Sequence, residues 1–197
     1  MRNTKAYQYF IINRAHRNLR RDFSQDLAAE YSALGLSPEE RMTRRFELLC
    51  QAEKPQIQPF EKIVLMRTVR KQPDIFTEAE WADIKAKHYI HELGFVSNLS
   101  LDYGRVIGSG LLAVRENADA YGRRVIDAII DLCDRYKRLA VEQDRRDVVE
   151  VLSRVPRYGA TNFREALQMF RILHYALWLE GDYHNTVGRF DQYIYPY

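Results

Sequence analysis

The sequence has only two cysteines among its 197 residues, Cys50 and Cys133. That argues against a disulfide scaffold and fits a reducing cytosol, so the expected location is cytoplasmic. Long hydrophobic runs are also missing: the longest apolar stretch is about half of the ~20 residues that a membrane span requires. There is no signal-peptide pattern, low-complexity tract or internal repeat. A dominant charge of one sign is lacking too, since 30 Lys and Arg stand against 27 Asp and Glu for a net charge of +3. The one locally Arg-rich stretch, Asn13 to Arg21, reads better as a solvated helix face than as a nucleic-acid arm.

What is present suits a soluble chain with one sizeable core. Apolar residues make up 46% and charged residues 29%, as expected for a single domain or a large piece of one spanning 1–197. Most of it reads as helix. An apolar stripe of Tyr9, Phe10, Leu19, Phe23, Leu27 and Tyr31 predicts a helix from about Ala6 to Leu34, ended by Gly35. Ser37, Pro38 and Glu40 form a capping-box start for a second helix to about Ala52, with Met42, Phe46, Leu49 and Cys50 on its core face. The segment Lys54 to Met66, with Pro55 and Pro59 before an apolar run, reads as a loop entering a short strand near 60–67. Thr77 and Glu80 open another capped helix, which carries His88 and His91 three apart. That spacing suits metal, but no third ligand is evident and solvent-facing histidines account for it better.

Further along, Asp102 makes an ordinary helix cap. Gly108-Ser109-Gly110 has no preceding strand, so close helix packing explains it better than a phosphate cradle. Val125, Ile126, Ile129, Leu132, Cys133, Tyr136 and Leu139 recur at three and four, marking an amphipathic core helix over Tyr121 to Ala140. A short helix over Asp144 to Ser153 follows, then a linker with Pro156 and Gly159.

The last stretch organises the rest. Asn162 caps a helix, Glu165 is placed to reach back to the cap amide, and Gly181 stops it. Between Met169 and Leu179 only Arg171 and His174 interrupt the apolar pattern, so this helix belongs deep inside a large structure. After the loop Asp182 to Gly188, the segment Arg189 to Tyr197 is rich in β-formers and reads as a strand near 189–196. On that strand Arg189 and Asp191 would share a face and could pair. A final helix and strand without neighbours imply association, and a homo-oligomer is expected.

The run Asn162-Phe-Arg-Glu-Ala-Leu-Gln168, the Glu180-Gly181 turn, His184, and Gly188-Arg-Phe-Asp-Gln-Tyr-Ile-Tyr-Pro-Tyr197 together resemble the pyruvate formate-lyase-like glycyl radical enzymes. Glu61, Ile63 and Val64 match a further family stretch, with Leu65 where Gly is usual. Asp102 and Tyr103 match another, with Ser97 and Asn98 where the family has Gly-His. The resemblance implies a helical N-terminal layer of a glycyl-radical-type α/β barrel, in a radical C–C, C–O or C–N lyase of anaerobic metabolism. It implies pocket positions for Asn98, Tyr183, His184, Asn185 and Arg189. His184 reads equally as a loop histidine bonding backbone, and Arg189 with Asp191 as a structural ion pair.

The family's radical glycine and thiyl cysteine have no counterpart here. No Arg-Val-x-Gly-Tyr-like motif occurs, and neither cysteine sits in a Gly-Cys loop, so no residue of this chain is expected to be catalytic and none to bind metal. No cofactor is expected in the chain itself. The parent protein would need a glycyl radical installed by a radical-SAM iron-sulfur activating enzyme. The expected partners are therefore that enzyme and the remaining part of the protein carrying the catalytic loops, with no nucleic acid and no membrane. The alternatives are a non-catalytic short homologue that docks on a full-length radical enzyme, and a helical scaffold or nucleic-acid-binding module.

Overall fold

Short polar side chains decide where most of the helices begin. In a computed structural model, which describes residues 4–23, 25–88, 100–181 and 185–197, α2 (Leu27–Ala33) starts where Asp26 accepts the Ala29 amide. Ser37 accepts the Glu40 amide at the start of α3 (Pro38–Ala52). Thr77 and Glu80 form the expected reciprocal box at α4 (Glu78–His88), with the Glu80 amide 3.3 Å from Thr77 Oγ1 and the Thr77 amide 2.8 Å from Glu80 Oε2. Asp102 caps α5 (Tyr103–Ser109), and α6 (Leu111–Glu116) follows directly. Asp119 caps the long α7 (Ala120–Glu142), after which come α8 (Arg146–Arg154), α9 (Phe163–Glu180) and α10 (Phe190–Ile194). Each such cap satisfies an amide the helix cannot pair internally and stabilises by about 1 kcal/mol.

Two boxes close differently from the sequence pattern. Glu40 turns to Arg44 and Arg124 instead of its cap. Glu165 bonds the amide and hydroxyl of Thr161, one residue before Asn162, while Asn162 still accepts the Glu165 amide at 3.0 Å. Gly181 ends α9 at φ +104, a conformation costly for any residue with a Cβ.

The main core lies between α3, α5, α7, α8 and α9, where Leu49, Ile107, Tyr136, Val155, Met169 and Ile172 are fully buried. A second, smaller core joins Leu27, Tyr31 and Ile75. Arg41 connects the two regions: it donates to the Leu36 and Ile75 carbonyls and forks onto Glu80 at 2.9 and 3.0 Å. Further arginine pairs cross between helices. Arg124 of α7 reaches Glu40 and Glu47 of α3, and buried Arg45 of α3 pairs with Glu180 at the end of α9. Cys50 and Cys133 are both buried, so they behave as small apolar residues.

Four sequence expectations are corrected. The single helix over Ala6–Leu34 is instead a turn α1 (Lys5–Tyr7), a π-helical stretch Gln8–Ile12, a 3-10 stretch Ala15–Leu19, and α2. Arg14 at φ +50 breaks the run, and the Arg21 backbone bridges to Thr68 and Arg70. The strand near 60–67 is an irregular buried segment. The strand near 189–196 is α10 with a following turn. Met42 is 48% exposed, and Arg41, Thr43 and Arg45 take up buried positions on α3 beside Phe46, Leu49 and Cys50. Among the described residues there is no strand, only the isolated bridge between Arg21 and Val69. No described helix is long and apolar enough to cross a membrane.

The irregular segment is buried because helices supply its hydrogen bonds. Gln168 of α9 accepts from the Val64 amide at 2.8 Å and donates to the Val64 carbonyl at 3.2 Å. Tyr136 of α7 does the same for Met66, at 3.0 and 3.1 Å. Glu53 accepts from the Thr68 and Val69 amides and the Thr68 hydroxyl. Paired in this way, buried backbone needs no partner strand.

Close packing explains the glycine cluster between α5 and α6. The turn through the cis Val155–Pro156 bond lies against it: the Leu111 amide donates to the Pro156 carbonyl, and the Ala160 amide to that of Ile107. A Cβ on Gly159 would stand 1.9 Å from the Gly108 carbonyl oxygen, which is fixed backbone. Gly159→Ala is therefore expected to cost roughly 1–3 kcal/mol, the usual range for overpacking. A fall in the urea midpoint checks this, with Ser153→Ala on an exposed helix face as the near-neutral comparison.

Candidate functional site

Two segments distant in sequence meet in one wall. Residues 100–104 lead into α5 and residues 185–193 lead into α10, and between them lies a cleft of about 310 Å3 bordered by Ser100, Asp102, Gly104, Gly188, Arg189 and Gln192. The contact is close because Gly104 has no side chain: a Cβ there would stand 3.1 Å from that of Tyr193. Ser100 Oγ donates to the Thr186 carbonyl at 3.4 Å, and the Gly188 amide to Thr186 Oγ1 at 3.1 Å, with Gly188 at φ +61. Tyr193 donates to the Val187 carbonyl at 2.6 Å, closing the turn before α10.

Behind the cleft the wall is aromatic. Tyr193 stacks on Tyr103 with centroids 5.7 Å apart, Phe170 lies 5.0 Å from Tyr103, and Phe190 meets Phe170 edge-on at 4.9 Å. Such contacts add to the burial of each ring and hold α10 on α5 and α9. His174 stacks on Phe170, and its Nδ1 lies 3.3 Å from the Tyr103 hydroxyl. Burial, with a smaller contribution from Tyr193, pushes Tyr103 up to about 12, so it remains a donor. Burial, and then the Arg171 charge, lower the His174 imidazole below its ordinary 6.5. A neutral hydroxyl and a neutral ring therefore share one hydrogen bond between Tyr103 and His174 Nδ1.

Of the predicted pocket residues, Arg189 borders the cleft and Asn185 is half-buried at the start of the segment. Asn98, Tyr183 and His184 lie outside the described residues, as do His91 and the side chain of His88. Arg189 and Asp191 occupy the start of α10, and among the described residues no ion pair joins them. Sequence reasoning missed Ser100, Gly104 and Gln192 on the cleft, and His174 beneath it. The signal for His174 was its place one turn after Phe170 in the stretch Met169 to Leu179, whose apolar pattern only it and Arg171 interrupt.

Neither cysteine has the setting of a reactive thiolate. Burial pushes both thiols well above their ordinary range, and no base adjoins them. Among the described residues, no three of His, Cys, Asp and Glu gather as metal ligands would.

Two solved structures share this architecture. One concerns 1,2-propanediol dehydration in Roseburia inulinivorans and matches with a TM-score of 0.69 at 21% identity, over 94% of this chain and 36% of that one. The other is a glycyl radical enzyme from Archaeoglobus fulgidus, with a TM-score of 0.59 at 17% identity and the same coverages. The fold is thus that of part of a glycyl radical enzyme, and the chain spans about a third of the length of these neighbours. No curated protein matches. The pyruvate formate lyase-like family model matches residues 38–197, and the chain belongs to that family.

The lowered His174 pKa has a thermodynamic consequence. The unfolded chain takes up a proton near pH 6.5 that the folded chain accepts only at lower pH, so the unfolded state binds more protons in that window. The His174 contribution to stability is therefore full above about pH 6.5 and falls as pH drops toward the folded pKa. An NMR titration of His174 should show a midpoint below 6.5, and His174→Gln should flatten that part of the stability profile.

Proposed function

We propose that this chain is the N-terminal helical layer of a pyruvate formate-lyase-like radical lyase acting on a small organic substrate. The reacting groups then come from the rest of the protein. The observation that carries the reading is the family match over 38–197 together with coverage of only 36% of each neighbour. The two buried cysteines support it, since neither is available to carry a thiyl radical. The chain alone is inactive in this reading.

In the whole enzyme, the wall of residues 100–104 and 185–193 would stand at the edge of an α/β barrel. Asn98, Tyr183, His184, Asn185 and Arg189 are the proposed substrate-side residues of that enzyme. The Tyr103–His174 pair would fix the wall rather than exchange protons, because both groups are neutral near pH 7. The glycyl radical would be installed on the remainder of a cytoplasmic protein by a radical-SAM activating enzyme.

Reading the coding sequence beyond the Tyr197 codon tests this. An open frame that continues to a Gly-Cys loop and a terminal glycine motif is the expected result. An immediate stop would overturn it in favour of a separate non-catalytic subunit. The chain alone, incubated anaerobically with an activating enzyme and S-adenosylmethionine, should give no glycyl-radical signal in electron paramagnetic resonance.

A further inference from the structure

The first acidic residue of the sequence is Asp22. Before it, residues 4–21 carry Lys5, Arg14, Arg17, Arg20 and Arg21, five positive charges against +3 for the whole chain, so the rest of the protein is on balance acidic. This segment is anchored at several points. Tyr9 and Phe10 pack on Phe60, with ring centres 5.5 and 6.2 Å away, and Phe10 lies 5.3 Å from His16. Those contacts fold the π-helical stretch Gln8–Ile12 against the 3-10 stretch Ala15–Leu19. At the far end the Arg21 amide donates to the Thr68 carbonyl, and the Arg70 amide to that of Arg21.

With the aromatic rings engaged, aliphatic side chains and cations are left on the outside. Ile11 is 57% exposed and Ile12 59%, and Arg14 and Arg17, which follow them, are exposed as well. Burial, and then the charges of Arg20, Arg17 and Arg14, lower the His16 imidazole below its ordinary 6.5, as arginines gathered around it must. Nearby acids do not cancel this charge. Buried Glu61 accepts the Gln58 amide and acts on Arg171 and Arg145, and Asp22 lies 3.6 Å from Arg70. Among the described residues no carboxylate pairs with Arg14 or Arg17.

The composition of this surface selects its partner. Two isoleucines are too small a patch for a stable protein interface, which buries about 800 Å2 on each side. Single-stranded nucleic acid stacks on aromatic faces, and here Tyr9 and Phe10 are already held by Phe60 and His16. A bilayer surface takes aliphatic side chains without a shaped pocket, and its anionic headgroups attract arginine.

We propose that this surface docks on an anionic lipid bilayer, with Ile11 and Ile12 entering the acyl boundary and Arg14 and Arg17 meeting the headgroup phosphates. The chain lies on the membrane without crossing it, which departs from the sequence expectation of no membrane partner. The docking surface does not depend on the radical-enzyme reading, because residues 4–21 lie outside the 38–197 matched by the family model.

The test is co-sedimentation of the chain with mixed phosphatidylcholine–phosphatidylglycerol vesicles. Pure phosphatidylcholine vesicles and a single-stranded RNA oligonucleotide serve as comparisons. Binding to the mixed vesicles is expected to be at least tenfold tighter than to either, and to weaken as salt is raised. Arg14→Gln/Arg17→Gln should weaken it at least tenfold, and Ile11→Ser/Ile12→Ser should do so with the charge unchanged. Arg123→Gln/Arg138→Gln, which removes the same charge from exposed positions of α7, should leave binding unchanged. All six side chains are exposed, and circular dichroism checks that each variant is folded. Absence of binding to the mixed vesicles overturns the proposal, as does equal binding to pure phosphatidylcholine or an equal loss in the α7 variant. Unchanged binding in the arginine or the isoleucine variant overturns it too, and RNA binding as tight as that of the mixed vesicles would assign the surface to nucleic acid instead.

Discussion

The structure depends on burying a stretch of backbone that has no regular secondary structure. From Glu53 to Val69 the chain runs through the interior without a helix or a strand, yet Ile57, Val64, Leu65, Met66 and Val69 are all buried. Burying those side chains is favourable only if the attached amides and carbonyls are not left unpaired, at a cost of about 1–3 kcal/mol each. Gln168, Tyr136, Glu53 and Arg171 supply the partners, and Arg145 adds bonds to the carbonyls of Gln58 and Glu61. These side chains come chiefly from α7 and α9. The two helices therefore act as substitute neighbouring strands, and their relative position is fixed by the segment between them.

The same helix carries the candidate site. One face of α9 holds the irregular segment through Gln168 and Arg171, while Phe170 and His174 face α5 and α10. The ends of α9 are fixed independently, by Asn162 with Glu165 at the start and by Gly181 and the Arg45–Glu180 pair at the finish. A helix held at both ends and on two faces is a rigid base for residues 100–104 and 185–193. Its neighbours leave some apolar surface open, with Tyr195 89% exposed and Trp178 40% exposed. That exposure fits a chain that spans about a third of the glycyl radical enzymes it resembles in fold.

Much of this was readable in the sequence, because helix caps are local. Ser37, Thr77, Asp102 and Asn162 each cap the helix expected of them, and the spacing of Ile126, Ile129, Leu132, Cys133 and Tyr136 marks the buried face of α7. The family motif was equally legible. The errors came where burial was read as strand. An apolar run such as Ile63 to Met66 reports that its side chains are inside, but not which groups satisfy its backbone. That depends on Gln168 and Tyr136, about 100 and 70 residues away. At 189–196, β-propensity outweighed the three- and four-residue spacing of Phe190, Tyr193 and Ile194, which is the helical signal. Arg14 and its left-handed backbone broke the first expected helix where the apolar stripe gave no warning.

Hydrogen exchange of the Val64 and Met66 amides addresses the central constraint most directly. Both belong to a segment that secondary structure alone would leave exposed to solvent exchange. If Gln168 and Tyr136 substitute for partner strands, these amides should be protected nearly as well as the middle of α7. Gln168→Leu should then release Val64 and lower global stability by about 1–3 kcal/mol. Exchange of Val64 and Met66 at the rate of an open loop in the unmodified chain would contradict the account.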